Sequence, residues 1–363
     1  MESEGMTMDK VHKIIPKTSG EIFDIAVSRI ASGSPLRDTI EMIIAAQNGA
    51  LICMGDVKAI LELGNGGFRI DVPYTPQRLF ELSKMDGAIV LSEDGSQIIC
   101  ANFHLNPDPS LLTYETGMRH RTAARTSAQT DAIVIAISKR RTQTTIYCKG
   151  EGINLDSDEI LLSKGNQGIL ALQNAKNSLE KAAIRLTFLE LDDIVTAVDV
   201  AAILSRYANL MNLAAQTERF VHFLGNNSGL LEMQLEDIMA GVTDSFILTI
   251  RDYAVTAAER EAKRIAKLLV KLPREELTMT NVMTALGHTK VKSDEDHLQA
   301  RGLRVISRLS MVDEAAAVRI IDEYGSLSAI VSDSKDGFDR LDNTGLENVR
   351  AIAASFKQLR STL

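Results

Sequence analysis

The sequence predicts an α/β N-terminal domain, a mixed sheet flanked by helices, followed by an all-α spine and a small C-terminal helical unit. Three observations predict it. Residues 20–150 alternate helix and strand signals, with two hairpins among them. From about residue 158 the apolar residues fall at helical spacing and strand signals stop. After residue 290 only short helical stretches remain, broken by Gly and turn residues. A chain of 363 residues is long enough for two or three such units.

The elements follow in order. Residues 1–19 carry charge of both signs and no apolar core, and read as a flexible lead-in rather than a secretory signal. "SPLRDTIEMIIAAQNG" offers Ser34 as N-cap, Pro35 at the first helical position and Gly49 as the stop. "ALICMG" is a short buried strand. "TPQRLFELSKMDG" repeats the cap with Thr75 and Pro76 and ends before Gly87. In "AIVLSEDGSQIICANFHL", Asp94-Gly95 joins two β-rich runs as a hairpin. "GMRHRTAARTSAQT" reads as a helix, and "AIVIAIS" and "TTIYCKG" as strands paired across "KRRTQ". In the spine, Leu170, Asn174, Asn177 and Lys181 share one helical face and Leu172, Ala175, Leu179 and Ala182 another. "LGNNSG" divides the spine into pieces. The domain boundaries expected are 20–157, 158–290 and 291–363.

Several function classes are excluded. A net charge of −8 argues against coating nucleic acid by bulk electrostatics, so any such contact is a local patch. No apolar run approaches the ~18 residues of a membrane span. Cys53, Cys100 and Cys148 lie far apart in apolar strand-like runs, an odd number without metal-ligand spacing, and read as buried reduced thiols of a cytoplasmic protein. No Gly-x-x-x-x-Gly-Lys-Ser/Thr loop is present, and "GNGGF" is too short to replace one.

Against this acidic background, "ETGMRHRTAARTS" places Arg119, His120, Arg121 and Arg125 just after Gly117, at a helix start. Backbone N–H groups and the positive end of the helix dipole favour an anion there, and arginine adds forked donors matched to phosphate. Arginine at a helix N-terminus is itself disfavoured by the dipole and calls for an explanation. The residues alone leave two: a polyphosphate cradle, or a solvated basic helix start paired with surface carboxylates. A second feature is Asp86-Gly87, at the end of a helix and the start of a buried strand. There a carboxylate is placed to hold a metal ion, and a glycine lets backbone approach a nucleotide. Carboxylate plus arginines is a minimal kit for phosphoryl or nucleotidyl transfer.

"KMDGAIVLSED", "CANFHLNPDP" and "ETGMRHRTAARTSAQT", in this order and spacing, resemble the diadenylate cyclase domain of the DNA integrity scanning (DisA) family. The resemblance covers roughly residues 20–150 and continues more loosely to "RGLRVISRL…YGSL". It implies an enzyme that condenses two ATP into cyclic di-AMP and pyrophosphate across two facing subunits of a homo-octamer. It implies Asp86 as the ligand of Mg²⁺ or Mn²⁺ and, with Arg119, His120 and Arg121, as the catalytic set. The ATP site it implies is built from Gly87, Ala88, Leu105, Thr116, Gly117, Met118, Arg119, His120, Arg121, Thr122 and Ser138, with Arg140 and Arg141 as further phosphate candidates. One position departs: the family reads Arg-His-Arg-Thr-Ala-Glu-Arg, and this chain has Ala124 in place of the glutamate.

The resemblance further implies a C-terminal helix-hairpin-helix domain that binds branched or recombining DNA through backbone N–H groups, in a cytoplasmic, nucleoid-associated protein. Where the family's second hairpin reads Gly-Ile-Gly, this chain has Asn343, Thr344 and Gly345. From residue 301 onward nine Lys and Arg meet nine Asp and Glu, so phosphate-driven affinity is expected to be modest and salt-sensitive. A DNA-junction sensor with a regulatory or inactive nucleotide site is the alternative. The intact Asp86 and Arg119-His120-Arg121 weigh against it.

Overall fold

In the computed structural model, β1 (Ala50–Met54) is central to an eight-stranded mixed sheet. The strand order is β2-β5-β4-β1-β6-β7-β8, with β3 paired to β5. The structure describes residues 26–139, 143–289, 293, 295–309, 312–336 and 349–362. The lead-in 1–19, Arg140, Arg141 and the hairpin residues Asn343, Thr344 and Gly345 lie outside the described residues.

Helices accompany the strands. α1 (Pro35–Ala45) starts as its cap predicts, with Ser34 accepting from the Arg37 backbone N–H. It ends earlier than the sequence suggests: Gln47, not Gly49, takes the left-handed turn, with φ 53°. α2 (Val57–Glu62) and the strands β2 (Gly64–Asn65) and β3 (Phe68–Pro73) have no counterpart in the sequence reading. α3 (Pro76–Leu82) is capped by Thr75. β4 (Ala88–Leu91) and β5 (Gln97–Leu105) form the Asp94-Gly95 hairpin. α4 (Met118–Gln129) begins directly after Gly117. β6 (Ile133–Ile137) and β7 (Thr144–Cys148) pair antiparallel, and β8 (Glu151–Leu155), also unread in the sequence, completes the edge.

The inner strands are buried along their whole length, which is why they read as continuous apolar runs rather than alternating ones. Ala123 and Ala124 of α4 pack with Cys53, Val90, Val134 and Tyr147 in one core cluster. All three cysteines are free and buried, as expected. Burial pushes the Cys53 and Cys148 thiols up to about 12, so they are inert hydrophobes at ordinary pH.

The contacts divide the chain into two units. The first runs to Gly165 and includes Arg219–Gly229; the second comprises Asn166–Glu218 and the chain from Leu230 onward. Two long helices, α5 (Asp158–Leu191) and α6 (Ala197–Leu224), open the helical region. In α5 the face holding Leu172 and Leu179 is buried, while Leu170 on the other face is exposed. A short 3₁₀ turn at Gly225–Asn227 separates α6 from α7 (Gly229–Met239), where "LGNNSG" predicts a break. α8 (Val242–Tyr253), α9 (Glu259–Lys271) and α10 (Met279–Ala285) follow. α11 (Leu303–Ile306), α12 (Glu314–Tyr324), α13 (Leu327–Asp336) and α14 (Val349–Thr362) share an apolar core that includes Ile320, Leu327, Ile352 and Phe356.

The second unit also holds a buried charge network. Arg304 is 1% exposed and donates to Thr187 Oγ1 at 3.0 Å and to Glu190 Oε2 at 2.5 Å. Asp252 accepts from the backbone N–H groups of Gly302, Leu303 and Arg304, capping α11. Tyr253 donates to Glu190 Oε1 at 2.6 Å.

Candidate nucleotide site

Strand register gathers the predicted residues at one end of the sheet. β1 and β4 are parallel, so Gly49 and Ala50 begin at the same end as Asp86, Gly87 and Ala88. β5 runs antiparallel to β4, with Phe103 opposite Ala88, which brings Leu105 to that end. β6 runs antiparallel to β1, with Ile137 opposite Ala50, so Ser138 emerges there as well. One strand separates β4 from β6, so their ends lie about 10 Å apart across two strand spacings.

A cavity of about 800 Å³ opens beside the end of β6. It is lined by Glu115, Thr116, Gly117, Met118, Arg119, His120, Ser138, Lys139, Gln143, Thr145 and Asn154. Six of the predicted ATP residues are therefore brought together there: Thr116, Gly117, Met118, Arg119, His120 and Ser138. Gly117 is the N-cap and has no side chain to cap α4, so the first-turn N–H groups stay available to an anion. Arg119 Nη1 donates to the Ile137 carbonyl at 3.3 Å, which ties the guanidinium to the end of β6. A Cβ built on Gly49 would stand 2.4 Å from that nitrogen and 3.0 Å from the Ile137 oxygen. Gly49 is thus not a helix stop; its missing side chain is the space Arg119 occupies.

The other predicted residues do not line this cavity. Arg121 turns back, its Nε and Nη2 donating to the carbonyls of Glu115 and Thr116, and Arg125 donates to Leu111. The excess of arginine at the start of α4 therefore has two uses. Arg119 faces the cavity, while Arg121 and Arg125 fasten the approach segment to the helix. Thr122 is half-buried on α4. Asp86 is exposed, and its carbonyl accepts from Asn102 Nδ2 at 3.0 Å. Gly87 has φ 86°, and a Cβ there would come within 2.8 Å of the Asn102 carbonyl carbon, so the neighbouring strand alone requires a glycine. Ala88 is fully buried in β4, and Leu105 is half-buried at the end of β5.

Sequence reading missed Glu115, Lys139, Gln143, Thr145 and Asn154. Thr145 and Asn154 sit opposite each other on β7 and β8, and Thr145 Oγ1 donates to Asn154 Oδ1 at 3.1 Å. β7 is buried along its whole length and carries no alternation that would single out Thr145, which meets Asn154 only through the pairing of β7 with β8. Ala124 is buried in the core cluster, so this position is apolar in the present chain. No group of three or more metal-ligating side chains occurs among the described residues. Asp86 is a single carboxylate, which suits Mg²⁺ or Mn²⁺ shared with substrate phosphates rather than held in a protein cage.

Comparison with known proteins now decides the family. The sequence matches "DisA bacterial checkpoint controller nucleotide-binding" over residues 37–152 and "DisA bacterial checkpoint controller linker region" over residues 155–295. The chain belongs to the DisA family. It is 38% identical over 338 residues to the DNA integrity scanning protein DisA of Carboxydothermus hydrogenoformans, covering 93% of this chain and 96% of that protein. The DisA proteins of Symbiobacterium thermophilum and Clostridium botulinum strain Langeland are 38% and 36% identical, each over 335 residues and 92% of this chain. They are covered to 95% and 94% of their length. The cavity-lining stretch Glu115–His120 falls inside the matched nucleotide-binding region of the DisA family.

Proposed function

We propose that the chain is a metal-dependent diadenylate cyclase that joins two ATP into cyclic di-AMP, releasing two pyrophosphates. The observation that carries this is the shared sheet end, with the Asp86 carboxylate at the start of β4 and Arg119 and His120 beside the end of β6. The match to the family's nucleotide-binding region supports it. Each 3′-hydroxyl attacks the α-phosphorus of the other ATP, forming two P–O bonds as two bonds to pyrophosphate break. One site holds one ATP, so two subunits meet with their sites facing, within a homo-octamer. Arg119 and His120 bind the triphosphate and neutralise charge developing toward the leaving pyrophosphate. Gly117 and Met118 offer the first-turn N–H groups, and Thr116 and Ser138 close the rim of the cradle. Arg121 and Thr122 hold the loop and helix that present it, while Gly87, Ala88 and Leu105 bound the nucleoside side. Asp86 holds the Mg²⁺ or Mn²⁺, which supplies charge neutralisation at the phosphates when bound.

The C-terminal unit, in this reading, is a helix-hairpin-helix domain that binds branched DNA through Asn343, Thr344 and Gly345. The family's name supports a DNA-linked role, and a cytoplasmic, nucleoid-associated location goes with it. No described helix is long and apolar enough to cross a membrane. The test is direct: purified protein, ATP and Mg²⁺ or Mn²⁺, with product identified by chromatography and mass. Cyclic di-AMP supports the enzyme. ATP bound without product under either metal favours a nucleotide-responsive DNA sensor instead.

A further inference from the structure

Behind His120 lies an arrangement that the proposed reaction does not account for. Tyr147 of β7 is 1% exposed, and its hydroxyl donates to Glu115 Oε1 at 2.7 Å. The same hydroxyl lies 3.0 Å from His120 Nδ1, with the two rings edge-on and their centroids 6.1 Å apart. A phenol carries one proton, and here that proton goes to the carboxylate. The phenol oxygen must then accept from His120, so Nδ1 is the protonated nitrogen. The donors run one way: His120 to Tyr147 to Glu115. Burial first, then the hydrogen bond to Glu115, push the Tyr147 pKa far above its ordinary value, so the phenol keeps its proton throughout the usual range.

The fold builds this chain of contacts from three places. Glu115 sits two residues before the N-cap of α4, His120 lies in the helix's first turn, and Tyr147 points from β7 into the core that α4 covers. Glu115 and His120 both line the cavity, whereas Tyr147 is sealed behind them. A buried tyrosine bonded at once to a site carboxylate and a site imidazole fixes how both present themselves.

We propose that Glu115 and Tyr147 are positioning residues that lock His120 in its Nδ1–H form, so that Nε2 is the nitrogen offered to the triphosphate. A neutral imidazole then has its lone pair at Nε2. A second proton, when it comes, enters there and donates to a phosphate oxygen, and the cation formed is stabilised through the phenol by the carboxylate. The role given to Nε2 rests on the cyclase reading; the tautomer does not.

The test uses the full chain labelled with ¹⁵N in its histidine rings and observed by magic-angle-spinning NMR. The chain has six histidines, and subtraction of the His120→Gln spectrum assigns the one of interest. The wild type should show protonated Nδ1 and unprotonated Nε2 at neutral pH, and Tyr147→Phe should move His120 toward the Nε2–H form. In the cyclase assay Tyr147→Phe should lower kcat about tenfold, as loss of a histidine's orienting partner does at metal sites, with KM for ATP within about a factor of two. Glu115→Gln retains an acceptor oxygen and should fall between wild type and Tyr147→Phe in both measurements. It also serves where the Phe variant fails to fold. His120 found as the Nε2–H tautomer in wild type overturns the proposal, as does a Tyr147→Phe protein with unchanged spectrum and kcat. If wild type makes no cyclic di-AMP, the cyclase reading fails while the spectra still decide the tautomer.

Discussion

Two arginines, Arg119 and Arg304, show what surroundings do to one side chain. Arg119 lines a cavity and, among the described residues, is anchored by one 3.3 Å bond to a backbone carbonyl. Arg304 is sealed in the helical unit, held by Glu190 and Thr187 within a network that includes Asp252 and Tyr253. A guanidinium at a cavity, with no ion pair among the described residues, is placed to meet an anion. A buried guanidinium paired through Nη2 with Glu190 is part of the architecture, and its removal leaves buried negative charge behind. The sequence gives no hint of the difference, since both are an Arg close after a Gly at a helix start.

The comparison can be broken by substitution. Arg304→Ala should cost about 3–5 kcal/mol by stranding Glu190 and Asp252, read as a large fall in the denaturation midpoint. Stability within about 1 kcal/mol of wild type would remove Arg304 from the structural side of the contrast. Arg119→Ala should do the reverse: cyclic di-AMP formation falls on the order of 10²–10³-fold, while stability changes by about 0.5 kcal/mol or less. An Arg119→Ala protein that cyclises ATP normally would end the site assignment.

Smaller changes sharpen it. Gly49→Ala places a methyl where Arg119 Nη1 lies and should lower kcat on the order of tenfold without altering the fold. Unchanged kinetics would mean that Arg119 works equally well from another rotamer. In the network, burial and then Glu190 push Asp252 up to about 7, against the backbone N–H groups of Arg304 and Leu303 and the Arg304 charge that pull it down. Its folded pKa thus stands above the ordinary carboxylate value. The folded state binds the extra proton between about pH 4 and 7, and this group's contribution to stability falls as pH rises through that window. Asp252→Asn should therefore flatten the decline of Tm between pH 5 and 8, and an unaltered slope would assign the proton elsewhere. The smallest effect concerns the thiols: native protein at pH 8 should resist alkylation at Cys53 and Cys148 and react only on unfolding, as mass spectrometry would show.

Much of the first domain was legible. Ser34-Pro35 and Thr75-Pro76 start helices because a hydroxyl cap and a fixed φ act within one turn of chain. Asp94-Gly95 closes a hairpin for an equally local reason. β2 and β8 were missed because strands of two and five residues, only partly buried, carry little periodic signal. β3 pairs through a register shift between Arg69 and Val72, a feature set by its neighbour β5 rather than by its own residues. The site divides the same way. Arg119 and His120 were found because the anion preference of a helix start is local. Thr145, Asn154 and Tyr147 were missed because they join the site only through the pairing of β6, β7 and β8.

By itself, then, the sequence determined the elements with local causes, the change to helix near residue 158, the buried thiols, and the two motifs with their family resemblance. Only the tertiary structure decided that Arg119 faces the cavity while Arg121 and Arg125 clasp the approaching loop, that Gly49 is empty space for a guanidinium, and that a buried tyrosine joins Glu115 to His120. The physical reason is range. Caps, turns and helical periodicity depend on residues a few positions apart, whereas strand order and register set Gly49 against Arg119, 70 positions on, and Tyr147 against Glu115 and His120, 32 and 27 positions back.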